Sequence, residues 1–129
     1  MSAIMVTALK LKRTSKVLEV TFSTGEQFAL SCELLRVRSP SAEVHGHGQP
    51  QLVAHKRAVT IDKVTPVGRY AVKLVFDDGH DSGIYSWSYL YDLARNQAEY
   101  WADYLAQIKA QKSSREPLIP LSVQFHRND

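Results

Sequence analysis

The feature that most constrains the fold is a change in the spacing of apolar residues near Ser86. Before this point apolar and polar side chains alternate, as in VLEVTF, where Leu18, Val20 and Phe22 share one face. A period of two is typical of a half-buried strand. After it, apolar residues recur at helical spacing as far as Ile108. Strands first and helices last predict an α+β fold, in which the C-terminal helices pack on an antiparallel sheet of short strands.

Short turns separate the predicted strands. TALKLKR and KVLEVTFS come first, and a turn at Gly25 leads into QFALS, which predicts a hairpin. CELLRVR predicts a single helical turn or a strand end. AVTIDKV and RYAVKLVF predict two further strands separated by TPVG, and GIYSW is expected to return as a partner strand after the turn DDGHDSG.

The helical region has recognisable boundaries. Ser86 or Ser88 can cap its first turn, because either hydroxyl can accept from a free backbone N–H, and Asn96 is expected to divide it into two helices. Residues 39–58 are rich in proline and glycine and predict a long loop. We therefore expect one domain over residues 1–112 and a loosely ordered tail over residues 113–129.

Composition excludes several classes of function. None of the 129 residues belongs to an apolar run of membrane-spanning length, about 20 residues, and the N-terminus lacks the pattern of a secretory signal. Cys32, the single cysteine, cannot form an internal disulfide, and we expect a cytoplasmic protein. The net charge of +3 is mild and no nucleic-acid motif accompanies it, so we expect neither membrane nor nucleic-acid binding.

The stretch DDGHDSG contains the strongest candidate for chemistry. Asp77, Asp78 and Asp81 could support acid–base catalysis by His80, because neighbouring carboxylates raise the pKa of a histidine. The alternative is turn formation, in which Asp side chains bond the local backbone and Gly79 takes a positive φ. The turn interpretation is favoured, since the chain has no nucleophile elbow, phosphate-binding loop or dinucleotide fingerprint. We therefore predict that the protein is not an enzyme.

Histidines elsewhere in the chain raise the question of a metal. His45 and His47 would point to the same side of an extended segment, and His80 could join them from the turn. Glu43 or Cys32 could complete four ligands around zinc. The pattern lacks the CxxC or HxxxH spacing of common zinc sites.

The segments ELLRVRSPSAEVHGHG and VGRYAVKLVFDDGHDSGIYSWSYL resemble a known family. It is the small bacterial domain of unknown function related to the N-terminal domain of gamma-butyrobetaine hydroxylase, and the resemblance runs from about Leu9 to about Ile108. It implies that iron and 2-oxoglutarate chemistry belongs to a separate catalytic domain. Similar domains are fused to iron–sulfur carrier ATPases of the Mrp type, which implies an accessory or docking role.

The resemblance also implies a modified metal site. In the hydroxylase the N-terminal domain holds a structural zinc with three cysteines and one histidine. His80 matches that histidine, whereas Ser39, Ser41 and Val44 stand at or near the cysteine positions. Serine hydroxyls are poor zinc ligands compared with thiolates. The resemblance therefore implies that three of the four ligands are replaced.

From these observations we expect a small cytoplasmic accessory or interaction module without catalytic activity, linked to iron–sulfur or metal-dependent enzymes through a protein partner. The predicted interaction surface is formed by polar and aromatic residues of the loop, the turn and the helix start, namely Arg36, Ser39, Ser41, Glu43, Asp78, His80, Tyr85 and Trp87. The alternative is a domain that binds zinc or iron through a histidine-based site of His80, His45 and His47.

Overall fold

The computed structural model describes residues 3–41 and 52–118. In this part of the chain the elements are β1 (Val6–Lys12), β2 (Val17–Phe22), β3 (Gln27–Ser31), α1 (Cys32–Val37), β4 (Ile61–Val67), β5 (Ala71–Phe76), β6 (Ile84–Ser86), α2 (Trp87–Arg95) and α3 (Gln97–Ala110). The predicted α+β class and the position of the C-terminal helices are confirmed.

The strands divide between two small antiparallel sheets. Each sheet has three strands, in the orders β1-β2-β3 and β4-β5-β6, so every strand pairs with its neighbours in sequence. The expected single sheet is therefore two consecutive meanders. The predicted return of GIYSW beside β5 is confirmed by the pairing of Val72 with Tyr85.

The β2–β3 and β4–β5 hairpins each turn at a glycine with positive φ. Gly25 (φ 92°) joins β2 to β3, which confirms the first predicted hairpin. In the second, β4 continues through Pro66 to Val67, and the turn begins only at Gly68 (φ 60°). We expected TPVG to be the turn. Proline is tolerated here because β4 lies at an edge of its sheet, where a missing N–H is not required.

Serine hydroxyls start two of the helices. CELLRV forms the helix α1, and Ser31 Oγ caps its start by accepting from Leu34 N at 3.0 Å. Of the two predicted alternatives, the helical turn is therefore the one observed. Ser86 Oγ accepts from Tyr89 N at 3.1 Å, which identifies Ser86 as the cap of α2. Asn96 ends α2 and precedes α3, which confirms the predicted division.

Both sheets and all three helices contribute to one hydrophobic core. Its fully buried side chains include Leu18, Val20, Leu30, Cys32, Leu35, Ile61, Leu74, Tyr85, Leu90 and Leu93, each 0% exposed. Burial raises the pKa of the Cys32 thiol, which disfavours the reactive thiolate. This cysteine therefore packs in the core as a small apolar residue.

The residues that follow α3 contact the loop before β4. His55 N donates to Ser114 O and Arg57 N donates to Arg115 O, both at 2.9 Å. Residues 119–129, the larger part of the predicted tail, lie outside the described residues, and the boundary at residue 112 stays a prediction. Among the described helices, none has both the length and the apolar character needed to cross a bilayer.

Candidate functional site

The site is built on the turn that follows β5. Gly79 has φ 92° and its N–H donates to Phe76 O. Asp77 Oδ1 accepts from Thr60 N and Asp78 Oδ1 accepts from His80 N, each at 3.1 Å. These contacts confirm the turn interpretation for Asp78 and Gly79, because Asp78 bonds the local backbone and the glycine takes a left-handed conformation. Asp77 instead bonds the backbone of Thr60, 17 positions away.

The turn buries the His80 imidazole against two serines. Ser39 Oγ lies 2.8 Å from His80 Nε2, and Ser41 Oγ lies 3.5 Å from the same nitrogen. Ser39, Ser41 and His80, here called the Ser39–His80 cluster, are 0%, 4% and 6% exposed. Two hydroxyls thus converge on one ring nitrogen out of contact with bulk water.

The chain segment carrying the two serines is held at several points. Tyr85 Oη donates to Leu35 O and Tyr89 Oη donates to Arg38 O, each at 2.5 Å. At Gly83 the backbone comes so close that a Cβ there would lie 2.3 Å from Ser39 Oγ. Only glycine leaves room for Ser39 to reach His80.

An ion-pair network lies beside the cluster, centred on Asp78 of the same turn. Asp78 Oδ2 contacts Arg36 Nε at 2.8 Å and Lys56 Nζ at 2.7 Å, and these three residues are here called the Asp78 network. Their side chains are only 11% (Arg36), 22% (Lys56) and 16% (Asp78) exposed. Burial opposes ionisation of Asp78, but hydrogen bonds from Lys56, the His80 N–H and Arg36 outweigh it, and the pKa of Asp78 falls to about 2.

The cluster and the network together fix both flanks of one segment. Ser39 and Ser41 precede residues 42–51, and Lys56 follows them. All three contact the Asp78–His80 part of the turn. Glu43, His45 and His47, predicted as surface or metal-ligating residues, belong to that segment and lie outside the described residues.

The structure brings together five residues of the predicted surface, namely Arg36, Ser39, Ser41, Asp78 and His80, although both serines and the histidine are buried. Tyr85 was placed on this surface incorrectly. It is 0% exposed because its position in β6, opposite Val72 of β5, directs the ring into the core.

Trp87 lies at the opposite end of β5 from the turn. Its backbone N–H donates to Tyr70 O and its indole N–H donates to Arg69 O, and both acceptors precede β5. Asp78 follows β5, whose six residues span roughly 17 Å at the usual strand rise. The predicted surface therefore does not extend from Asp78 to Trp87 as one patch.

The described residues do not fit a zinc ion of the kind held by three thiolates and one histidine. At His80 they supply one imidazole and two neutral hydroxyls. Within residues 3–41 and 52–118 no group of three or more His, Cys, Asp or Glu side chains could hold a metal. Cys32, considered as a ligand, has its Sγ 3.9 Å from Thr60 Oγ1.

Sequence reasoning missed three residues that shape the site. Gly83 precedes a short strand, and a glycine at such a position can signal a close approach of two backbones. Tyr89 and Lys56 gave no signal, because their partners Arg38 and Asp78 are distant in sequence.

The fold and the site define a class of small α+β domains. In this class a histidine on the turn after β5 contacts the segment that follows the short helix α1. The chain belongs to the family described as gamma-butyrobetaine hydroxylase-like, N-terminal, whose model matches residues 9–91. The search of curated proteins found no match.

Three solved structures are similar over most of their length. One NMR solution structure shares 63% identity and a TM-score of 0.80, and the match covers 98% of this chain and 96% of that chain. A second shares 43% identity and a TM-score of 0.80, covering 96% and 99%. A crystal structure of a DUF971-family protein of unknown function from Acidithiobacillus ferrooxidans shares 38% identity and a TM-score of 0.61, covering 70% and 92%.

Proposed function

We propose that this protein is a cytoplasmic accessory domain without catalytic activity, and that it binds a protein partner through residues 42–51 and the Asp78 network beside them. One observation supports this proposal above the others: the two flanks of that segment are fixed to the same turn, at His80 and at Asp78.

Fixing the ends of a loop favours recognition by a partner. A loop on a rigid scaffold loses less conformational freedom on binding than one with free ends. Here the contacts of Ser39 and Ser41 with His80 are buried, which makes them stronger than exposed contacts of the same kind, while the Arg36–Asp78 contact lies at the surface. The described residues on either side of residues 42–51, Ser39 and Ser41 before them and Lys56 after them, thus have fixed positions on the turn.

The class of partner follows from the family resemblance. The resemblance implies that similar domains occur fused to iron–sulfur carrier ATPases, which favours a docking role on that class of protein. We therefore propose an iron–sulfur or metal-dependent enzyme as the partner.

A pull-down with the tagged full-length chain tests the proposal. We expect His45→Ala/His47→Ala to lose the specific partner, since it changes the presented segment, and Asp78→Ala to weaken capture, since it releases one flank. The matched control is Lys63→Ala/Lys73→Ala, which changes two side chains on the β4–β5 hairpin and should retain the partner.

Recovered proteins are quantified by mass spectrometry. Identical protein sets from the wild type, His45→Ala/His47→Ala and Asp78→Ala would show that this surface does not select a partner.

We propose metal binding as the second candidate. A metal on His80 Nε2 would displace the two serine hydroxyls that lie beside it, and His45 follows Ser41 by only four residues, a reach of at most about 14 Å. His45 and His47 could therefore join His80 around zinc or iron.

Elemental analysis of natively purified protein separates the two candidates. Metal binding predicts stoichiometric zinc or iron that is lost in His80→Ala and in His45→Ala/His47→Ala. Metal-free protein whose stability does not change on addition of zinc would contradict it.

A further inference from the structure

A second candidate site lies at the other end of α1 from the Ser39–His80 cluster. It is a cavity of about 650 Å³ between the β1–β2 turn, the β3–α1 segment, the loop before β4, α3 and the segment after α3. This volume falls in the range of small-molecule sites, about 300–1,000 Å³. Its wall contains three cations, Lys16, Arg57 and Arg115, and one carboxylate, Glu33.

The carboxylate of Glu33 is fully engaged inside the wall. Arg115 binds it through two contacts, Nε to Oε2 at 2.8 Å and Nη2 to Oε1 at 2.7 Å. Tyr104 Oη donates to Oε2 at 2.6 Å. Glu33 is 5% exposed. Its charge is thus neutralised by Arg115, and it does not repel an anion that enters the cavity.

The two remaining cations lie on exposed parts of the wall. Lys16 is exposed at the β1–β2 turn. Arg57 Nη1 contacts Glu116 Oε2 at 2.7 Å, but the two side chains are 57% and 61% exposed. An ion pair this exposed contributes little and can be displaced by a better-placed anion. Lys16 and Arg57 are therefore available to an oxyanion at the cavity.

The rest of the wall combines apolar and polar residues. The apolar residues are Trp101, Val17, Ala29, Leu34 and Ala98, and the polar ones are Ser15, Ser31 and Gln97. The Arg115 guanidinium lies 4.9 Å from the centre of the Trp101 ring, which fixes the indole relative to the Glu33 pair. A planar apolar group fits beside such a ring better than a fully hydrated ion.

We propose that this cavity binds a small organic anion, in which a carboxylate or phosphate group is attached to a flat apolar body. Lys16 and Arg57 contact the oxyanion, and the apolar body lies against Trp101. This site is independent of the partner-binding surface, and its failure would leave that proposal unaffected.

NMR titration of the full-length chain tests the proposal with four probes: benzoate, phenyl phosphate, inorganic phosphate and benzyl alcohol. We expect benzoate and phenyl phosphate to shift the Trp101 indole N–H signal saturably. Inorganic phosphate lacks the apolar body and benzyl alcohol lacks the charge, so each should bind on the order of tenfold more weakly or not at all. A preference between the first two probes identifies the oxyanion as carboxylate or phosphate.

Two variants with equal loss of charge provide the specificity control. Lys16→Gln/Arg57→Gln should weaken binding of the better probe by on the order of tenfold or more. Lys63→Gln/Lys73→Gln removes two positive charges from the β4–β5 hairpin and should leave the affinity unchanged. All four substitutions are outside the core, so the fold should persist.

Three results would overturn the proposal. They are the absence of a saturable Trp101 shift with both aromatic anions, equal weakening in the two double variants, and binding of inorganic phosphate as tight as that of phenyl phosphate.

Discussion

Gly83 matters to the site because of the side chain it lacks. The backbone of Gly83 lies so close to Ser39 that a methyl group at position 83 would clash with the serine hydroxyl. The same hydroxyl is hydrogen-bonded to His80. The turn chemistry of Asp78 and Gly79 could be predicted from sequence because it is local, whereas the bond from Thr60 N to Asp77 joins residues 17 positions apart. The approach of Gly83 to Ser39 could not, since the two residues lie in different elements and nothing local encodes their contact.

Gly83→Ala should therefore destabilise the fold. A new Cβ 2.3 Å from Ser39 Oγ must displace the serine segment, at a cost of about 1 to 3 kcal/mol typical of overpacking. Urea denaturation measures the loss, and the imidazole signals of His80 should shift. Ser82→Ala, at an exposed neighbouring position, should change stability by less than about 0.5 kcal/mol. Equal stability of the two variants would show that the segment carrying Ser39 can move to make room for a Cβ at position 83 without loss of stability.

Ionisation of Asp78 should make the free energy of unfolding depend on pH in acidic solution. Its pKa falls from 3.8 to about 2 on folding, so its contribution is fully present above the unfolded value and is lost as pH falls through the folded value. The difference in stability between wild type and Asp78→Asn should therefore shrink between roughly pH 5 and pH 1, by at most about 2 kcal/mol because solvent screens an exposed residue.

The measurement is urea denaturation at a series of pH values. Asp81→Asn, at an exposed position of the same turn, should follow the wild type throughout. A difference between wild type and Asp78→Asn that stays constant with pH would show that Asp78 gains no net stabilisation from its partners.

At the scale of elements, alternation and helical spacing predicted most strands and both C-terminal helices. Leu18, Val20 and Phe22 are at most 1% exposed, as their shared face required. The division into two sheets was not predictable, because each strand carries the same pattern whether its next neighbour belongs to its own sheet or to another. Strand pairing beyond a hairpin is decided by contacts distant in sequence.

The start of α2 provides a test at this scale. Both Ser86 and Ser88 suited the cap from sequence, and the structure assigns the role to Ser86. Ser86→Ala should cost about 1 kcal/mol, because Tyr89 N loses its acceptor, while Ser88→Ala should cost less than about 0.5 kcal/mol. Thermal or urea denaturation of the pair decides the assignment, and the reverse order would refute it.

At the scale of the whole molecule, the Ser39–His80 cluster and the proposed cavity site lie at opposite ends of α1. The Ser39–His80 cluster could be anticipated in part, since the family resemblance pointed to His80 and to both serine positions. The cavity could not, because its walls come from five separate parts of the chain, and Arg115 was assigned to a loosely ordered tail. No pattern of residues within any one of those parts signals a binding site.

The contact between Arg115 and Glu33 joins residues 82 positions apart and has a consequence for the order of folding. A contact of such high sequence separation closes a very long loop, and we expect it to form after the transition state. Arg115→Ala should therefore accelerate unfolding while leaving the folding rate nearly unchanged, as stopped-flow chevron plots would measure. Arg69→Ala, in the exposed β4–β5 turn, should alter neither rate. The segment after α3 would then pack last during folding, and its contacts would determine the unfolding rate and so the lifetime of the native state.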